Sequence, residues 1–211
     1  MKRYLAQINY YTSASSRATS DAAIPVKPNS SIWFTGRTDV LARLKEHFTA
    51  EAKIHCAVEN SFCCMAWGGS GRLRFVWDSL RICLTSKYSP ILLGPHFWLV
   101  PSFSHVFWID ASSIGTITQG LKGICNLPEA RSSALDGSPQ SALWWIGSLR
   151  ENYAMVFDNA DNLTPEELEQ YFPSGLGGNI LITSCNSSLK HLTLHESSLE
   201  VKEMEENDAI S

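Results

Sequence analysis

The sequence predicts an α/β domain whose parallel sheet, flanked by helices, is buried on both faces. Three observations carry that prediction. Unalternated apolar runs at 62–67, 106–109, 154–157 and 180–182 are too short for helices and read as strands covered on both sides. Helical patterns with recognisable N-termini lie between them, so helices and strands alternate along the chain. The composition, 44% hydrophobic and 10% aromatic against 18% charged over 211 residues, supplies a core and excludes a disordered chain.

Taken in order, residues 1–30 are rich in Ser, Thr and Ala with little apolar periodicity, which predicts a flexible N-terminal tail ending at Pro25 and Pro28. The domain is expected over 31–211. Thr38 is placed as the N-cap of a helix whose Val40, Leu41, Leu44 and Phe48 fall on one face. A second helix is signalled by Ser138 with Pro139 just inside it, followed by Ala142, Leu143, Ile146 and Leu149. The third opens on Thr164-Pro165-Glu166-Glu167, an N-cap, a proline at the first helical position and a capping-box Glu, ahead of Leu168, Tyr171 and Phe172. The closing segment, HESSLEVKEMEENDAIS, offers a strand at Leu199 and Val201 and then an acidic helical pattern running to Ser211. The domain is therefore expected to be incomplete at its C-terminus.

Lys and Arg total 17 against 21 Asp and Glu, a net charge of −4, and no basic block exists, so nucleic acid is not an expected partner. Six cysteines without a CxxC pair or a secretory pattern read as reduced thiols in a cytoplasmic protein. The stretch 89–109 is apolar and about the length of a membrane span, yet Pro90, Pro95 and Pro101 interrupt it. No second apolar segment could re-satisfy such a broken helix, so no membrane association is expected. His191 and His195 read as surface histidines in a strand or loop, and Cys63-Cys64 as buried thiols. No GxSxG is present to place a nucleophilic serine.

The sharpest local feature follows the first strand: Ala66-Trp67-Gly68-Gly69-Ser70-Gly71-Arg72-Leu73. It has the form of a phosphate loop in which glycines turn consecutive backbone N–H groups inward on phosphate. Gly68, Gly69 and Gly71 keep that form. Ala66 stands for the first glycine, Arg72 for the lysine that reaches the terminal phosphates, and Leu73 for the hydroxyl that ligates Mg²⁺. Downstream, the strand AMVF ends in Asp158-Asn159-Ala160-Asp161, which sets a carboxylate at the carboxyl edge of a parallel sheet, where ligands bind. A further buried strand, GNILITS at 178–184, ends in hydroxyl residues.

In this order the segments resemble the NB-ARC type of STAND P-loop NTPases, in particular the fungal NLR-like group. IWFTGR at 32–37 is similar to the family's apolar-Gly-Arg motif, GGSG at 68–71 to the centre of Walker A, and FWIDAS at 107–112 to the strand that follows. VFDNAD at 156–161 is similar to Walker B and GNILITS to the sensor strand. The resemblance covers roughly 32–211, with a divergent or anomalous segment at 72–105. It implies a P-loop NTPase-like sheet, an ADP/ATP switch acting in signal transduction, and other NB-ARC proteins as partners. Phe34, Gly36 and Arg37 would approach the base and ribose, Gly68, Gly69, Ser70, Gly71, Arg72 and Leu73 the phosphates, and Asp158 the Mg²⁺. Thr183, Ser184 and Cys185 would sense the γ-phosphate, and the hydrolytic positions fall at Asp158 and Asn159.

The departures from the pattern set the expected activity. Cys185 stands where the family has Arg, the planar head of Arg72 does not replace a compact ammonium, and Leu73 removes a Mg²⁺ ligand. Each lost charge-assisted contact costs ~1.5–3 kcal/mol, so two or three weaken binding by about two orders of magnitude or more. Asn159 cannot accept a proton as a general base. The expected function is a degenerate nucleotide-binding domain with weak ADP or ATP binding and little hydrolysis. The alternatives are a non-enzymatic interaction fragment that pairs with full-length relatives, or an imperfect gene product in which a frame change or unspliced intron wrote 72–105.

Overall fold

A computed structural model describes residues 22–25, 38–49, 61–66, 103–175, 178–194 and 197–201. Helix α1 spans Thr38–Thr49, strand β1 Ser61–Ala66 and β2 His105–Asp110. There follow α2 at Ile114–Ile124, a single turn α3 at Pro128–Arg131, α4 at Pro139–Ser148 and β3 at Tyr153–Asp158. Then come α5 at Pro165–Glu169, β4 at Gly178–Ser184, a 3-10 helix at Ser187–Leu192 and β5 at Ser198–Val201. The expected α/β class with a parallel sheet and flanking helices is what these residues form. The 3-10 helix carries His191 where a strand or loop was expected, because Asn186 caps it by accepting from the Ser188 N–H.

The five strands pair in parallel in the order β2-β3-β4-β1-β5. The apolar runs are continuous because both faces are covered. On one face, alternate residues Phe107 and Ile109 of β2, Tyr153, Met155 and Phe157 of β3, and Ile180 and Ile182 of β4 pack against α2, α4, α5 and the 3-10 helix. On the other, Trp108, Ala154, Val156, Leu181 and Val201 meet Val40 and Leu44 of α1. The connections β2–β3, β3–β4 and β4–β5 all step the same way across the sheet, and their helices share one face, as a single handedness of crossover requires.

The caps at Ser138 and Thr164 form as their sequences predict. Ser138 Oγ accepts from the Ser141 N–H, and Thr164 exchanges both capping-box bonds with Glu167. Three boundaries differ: α4 ends at Ser148, so Leu149 is its C-cap and not a helical residue. Thr38 lies inside α1 and not before it. Helix α5 ends at Glu169, so the buried Tyr171 lies beyond the helix.

Helix α2 has no counterpart in the sequence reading. Gly115, Gly120 and Gly123, with β-branched Ile114, Thr116, Ile117 and Thr118, make it a poor intrinsic helix former. Tertiary contact and capping override that preference. Ser113 and Thr116 close a capping box, and Ile117, Leu121 and Ile124 are buried. Residues Ala22–Pro25, within the segment expected as a tail, lie against this helix: the Asn126 side-chain amide donates to the Ala22 carbonyl at 2.7 Å. The rest of 1–30 and most of 72–105 lie outside the described residues. No helix among the described residues is long and apolar enough to cross a membrane.

At the amino edge of the sheet, Tyr153 is wholly buried and its hydroxyl has no hydrogen-bond partner among the described residues. Burial pushes that phenol up to about 12. A Cβ on Gly178 would overlap the Tyr153 hydroxyl and ring, which explains a glycine at the first position of β4. Tyr153→Phe removes a buried, unpaired polar group and is expected to leave stability unchanged or raise it by about 1 kcal/mol. Gly178→Ala forces the ring aside at a cost of about 1–3 kcal/mol. Thermal melts of both variants check the pair, and a clear loss in Tyr153→Phe would contradict the orphaned hydroxyl.

Candidate functional site

Because every strand points the same way, all the carboxyl ends lie on one edge. Asp110 closes β2, Asp158 closes β3, and the two are paired in register. Thr183 and Ser184 close β4, opposite Cys64 and Met65 of β1. The chain leaves β1 for β2 on one side and leaves β4 for β5 on the other. Adjacent strands with diverging connections define a topological switch point, the crevice where open α/β sheets bind ligands. Here it falls between β1 and β4, with β3 and Asp158 one strand away.

Short hydrogen bonds hold the ends of β3 and β4 together. Thr183 Oγ1–H donates to Asp158 Oδ1 at 2.6 Å, and Thr183 Oγ1 itself accepts the Asn159 N–H at 3.0 Å. The Thr183 carbonyl accepts the Ala160 N–H at 2.9 Å. Asn159 reaches these partners in a left-handed conformation, φ 65°, which Asn tolerates better than most residues. One step on, Asp161 Oδ1 accepts the Cys185 N–H at 2.6 Å and the Ser184 hydroxyl at 3.1 Å. Ser184 Oγ in turn accepts the Asn186 N–H at 2.9 Å. Thr183 and Ser184 are 1% and 0% exposed, so their hydroxyls act inward, fixing two carboxylates, while Asp158, Asn159 and Cys185 remain partly exposed.

Burial is the main cause that pushes the Asp158 carboxyl above the usual aspartate range. The Thr183 hydrogen bond opposes it, and the charges of Asp110 and Asp161 add to the rise. A hard divalent cation would relieve that charge. Among the described residues, no three or more His, Cys, Asp or Glu come together closely enough to hold a metal. Asp158 would thus be one protein ligand, with water or phosphate oxygens completing the set, the manner in which Mg²⁺ is held beside nucleotides.

Of the residues singled out in the sequence, Asp158, Asn159, Thr183 and Ser184 come together on this edge. Phe34, Gly36, Arg37 and the loop 68–73 lie outside the described residues. Asp161, named in the sequence with the acidic end of the strand, belongs to the same edge, as do Asp110 and Asn186, to which the sequence assigned no role. Their signal was available for Asp110, since FWID and VFD are both apolar strands ending in Asp. The chain matches no protein-family model, and no curated protein matches its sequence.

Thr183→Val keeps the shape but leaves Asp158 Oδ1 and the Asn159 N–H unpaired, and is expected to cost about 2–3 kcal/mol in denaturant melts. Thr183→Ser should recover most of that. The folded chain holds the Asp158 proton more tightly than the unfolded chain. Its contribution to stability therefore falls as pH rises from about 4 through the raised folded value, and is level above it. Asp158→Asn carries no such titration, so its stability gain over the native chain should grow across that window. A pH-independent difference would contradict the buried carboxyl.

Proposed function

We propose that the chain is a nucleotide-binding domain of the STAND, NLR-like type, degenerate in its phosphate loop, with weak ADP or ATP binding and little hydrolysis. The observation that carries this reading is the strand order. It sets β1 beside β4, and β1 ends at Ala66, two residues before Gly68 in the sequence. A glycine-rich segment entering at a switch point suits phosphate, because backbone N–H groups can surround it. Asp158, held by Thr183, supplies a fixed carboxylate one strand away.

In this reading Asp158 would hold a Mg²⁺ ion, which would supply charge neutralisation at the phosphates, and Thr183 and Asp161 position the ends of β3 and β4. Asn159 follows Asp158 at the place suited to a proton acceptor, and its amide cannot serve as one. The inward commitment of the Thr183 and Ser184 hydroxyls leaves nucleotide sensing at β4 to the backbone and Cys185. Such a site binds and does not turn over, which accords with a switch or an assembly part more than with an enzyme.

Titration calorimetry with Mg-ADP tests the reading. Binding in the high micromolar to millimolar range is expected, and no heat at millimolar nucleotide overturns it. The pair Arg72→Lys and Leu73→Thr should tighten binding by about tenfold or more, since each restores a charge-assisted contact. Steady release of phosphate by the native chain would overturn the claim of little hydrolysis.

A further inference from the structure

Helix α2 buries Ile117, Leu121 and Ile124 toward the sheet and leaves a second stripe through Ser113, Thr116, Gly120, Gly123 and Asn126. Two different things happen along that stripe. Its N-terminal half, with Gln119, Trp108, Asp110 and Pro25, walls an open cleft of about 590 Å³ at the outer edge of β2. Its C-terminal half is covered by Ala22–Pro25. The Asn126 amide, 4% exposed, donates to the Ala22 carbonyl at 2.7 Å. A Cβ on Gly123 would overlap the Ala23 carbonyl and crowd the Pro25 ring at 2.9 Å, whereas one on Gly120 would meet Ile109 of β2 at 3.0 Å and the Pro25 ring only at 3.9 Å.

Ala22 meets Asn126, while Ala23 and the Pro25 ring both meet Gly123. Recognition is by backbone: a carbonyl taken by a buried amide, and a helix floor with no side chain between the two main chains.

We propose that Gly123 and Asn126, at the C-terminal end of α2, form a docking groove for a peptide segment, filled by the chain's own residues 22–25, and that this strap completes the cleft at the β2 edge. The strap ties the N-terminal segment to the domain at a defined point and makes Pro25 a wall of the cleft beside Trp108 and Asp110.

Gly123→Ala in the full chain separates this from an ordinary helix. Alanine in place of glycine within a helix normally raises stability, so an unoccupied stripe predicts a higher Tm. An occupied one predicts a lower Tm, together with severalfold faster elastase cleavage at Ala22 and Ala23, located by mass spectrometry. Gly115→Ala is the control on the same helix, because its Cβ meets only Ser113 Oγ at 3.6 Å, and it should not expose the strap. Asn126→Ala removes the tie without adding bulk and should speed the same cleavage. A higher Tm for Gly123→Ala with unchanged cleavage overturns the proposal, as does cleavage unaffected in both variants. A concentration-dependent dimer in the native chain that Gly123→Ala converts to monomer would overturn the assignment in cis, placing the strap of one copy on the groove of another.

Discussion

The common direction of the five strands is the constraint on which the rest depends. Parallel strands cannot be joined by hairpins, so each connection must cross over a face and cover it. Both faces are then buried, which is why β3 is apolar at every position from Tyr153 to Phe157. The same constraint gathers all five carboxyl ends on one edge, so residues far apart in sequence, such as Asp110, Asp158 and Ser184, become neighbours there. A single reversed strand would have sent one of those groups to the opposite edge.

Concentrating carboxylates on that edge has a cost, and the structure meets it with hydroxyls. Asp158 sits near Asp110 and Asp161 and is substantially buried, an arrangement that favours the protonated acid. Thr183 offsets part of this by donating to Asp158, and the Ser184 hydroxyl holds Asp161 in place. The hydroxyls are thereby committed to the frame. What remains partly exposed is Asp158, its carboxyl fixed in position with one oxygen already engaged.

Helix α2 shows the reverse balance. Its glycines weaken it as an isolated helix, yet Gly123 lets a neighbouring main chain approach on one side while Ile117, Leu121 and Ile124 anchor it on the other. Intrinsic preference was exchanged for close approach. This is why the helix was absent from the sequence reading: local propensity and apolar periodicity carry no sign of a contact with residues 100 positions earlier.

The sequence by itself determined the elements whose cause is local. Ser138-Pro139 and Thr164-Pro165-Glu166-Glu167 start helices because side chain and backbone of adjacent residues satisfy each other. The apolar runs mark strands because burial on both faces leaves no room for polar residues. The Asp after VF was legible as an edge carboxylate for the same reason. The order of the strands was not legible, since buried runs such as 106–109 and 154–157 look alike and nothing in them encodes a neighbour. Nor was the inward turn of Thr183 and Ser184, whose partners lie more than 20 residues away, or the place of Ala22–Pro25 on α2. Those were decided by tertiary structure alone, because hydrogen bonds and close packing between distant segments exist only once the crossovers have brought them together.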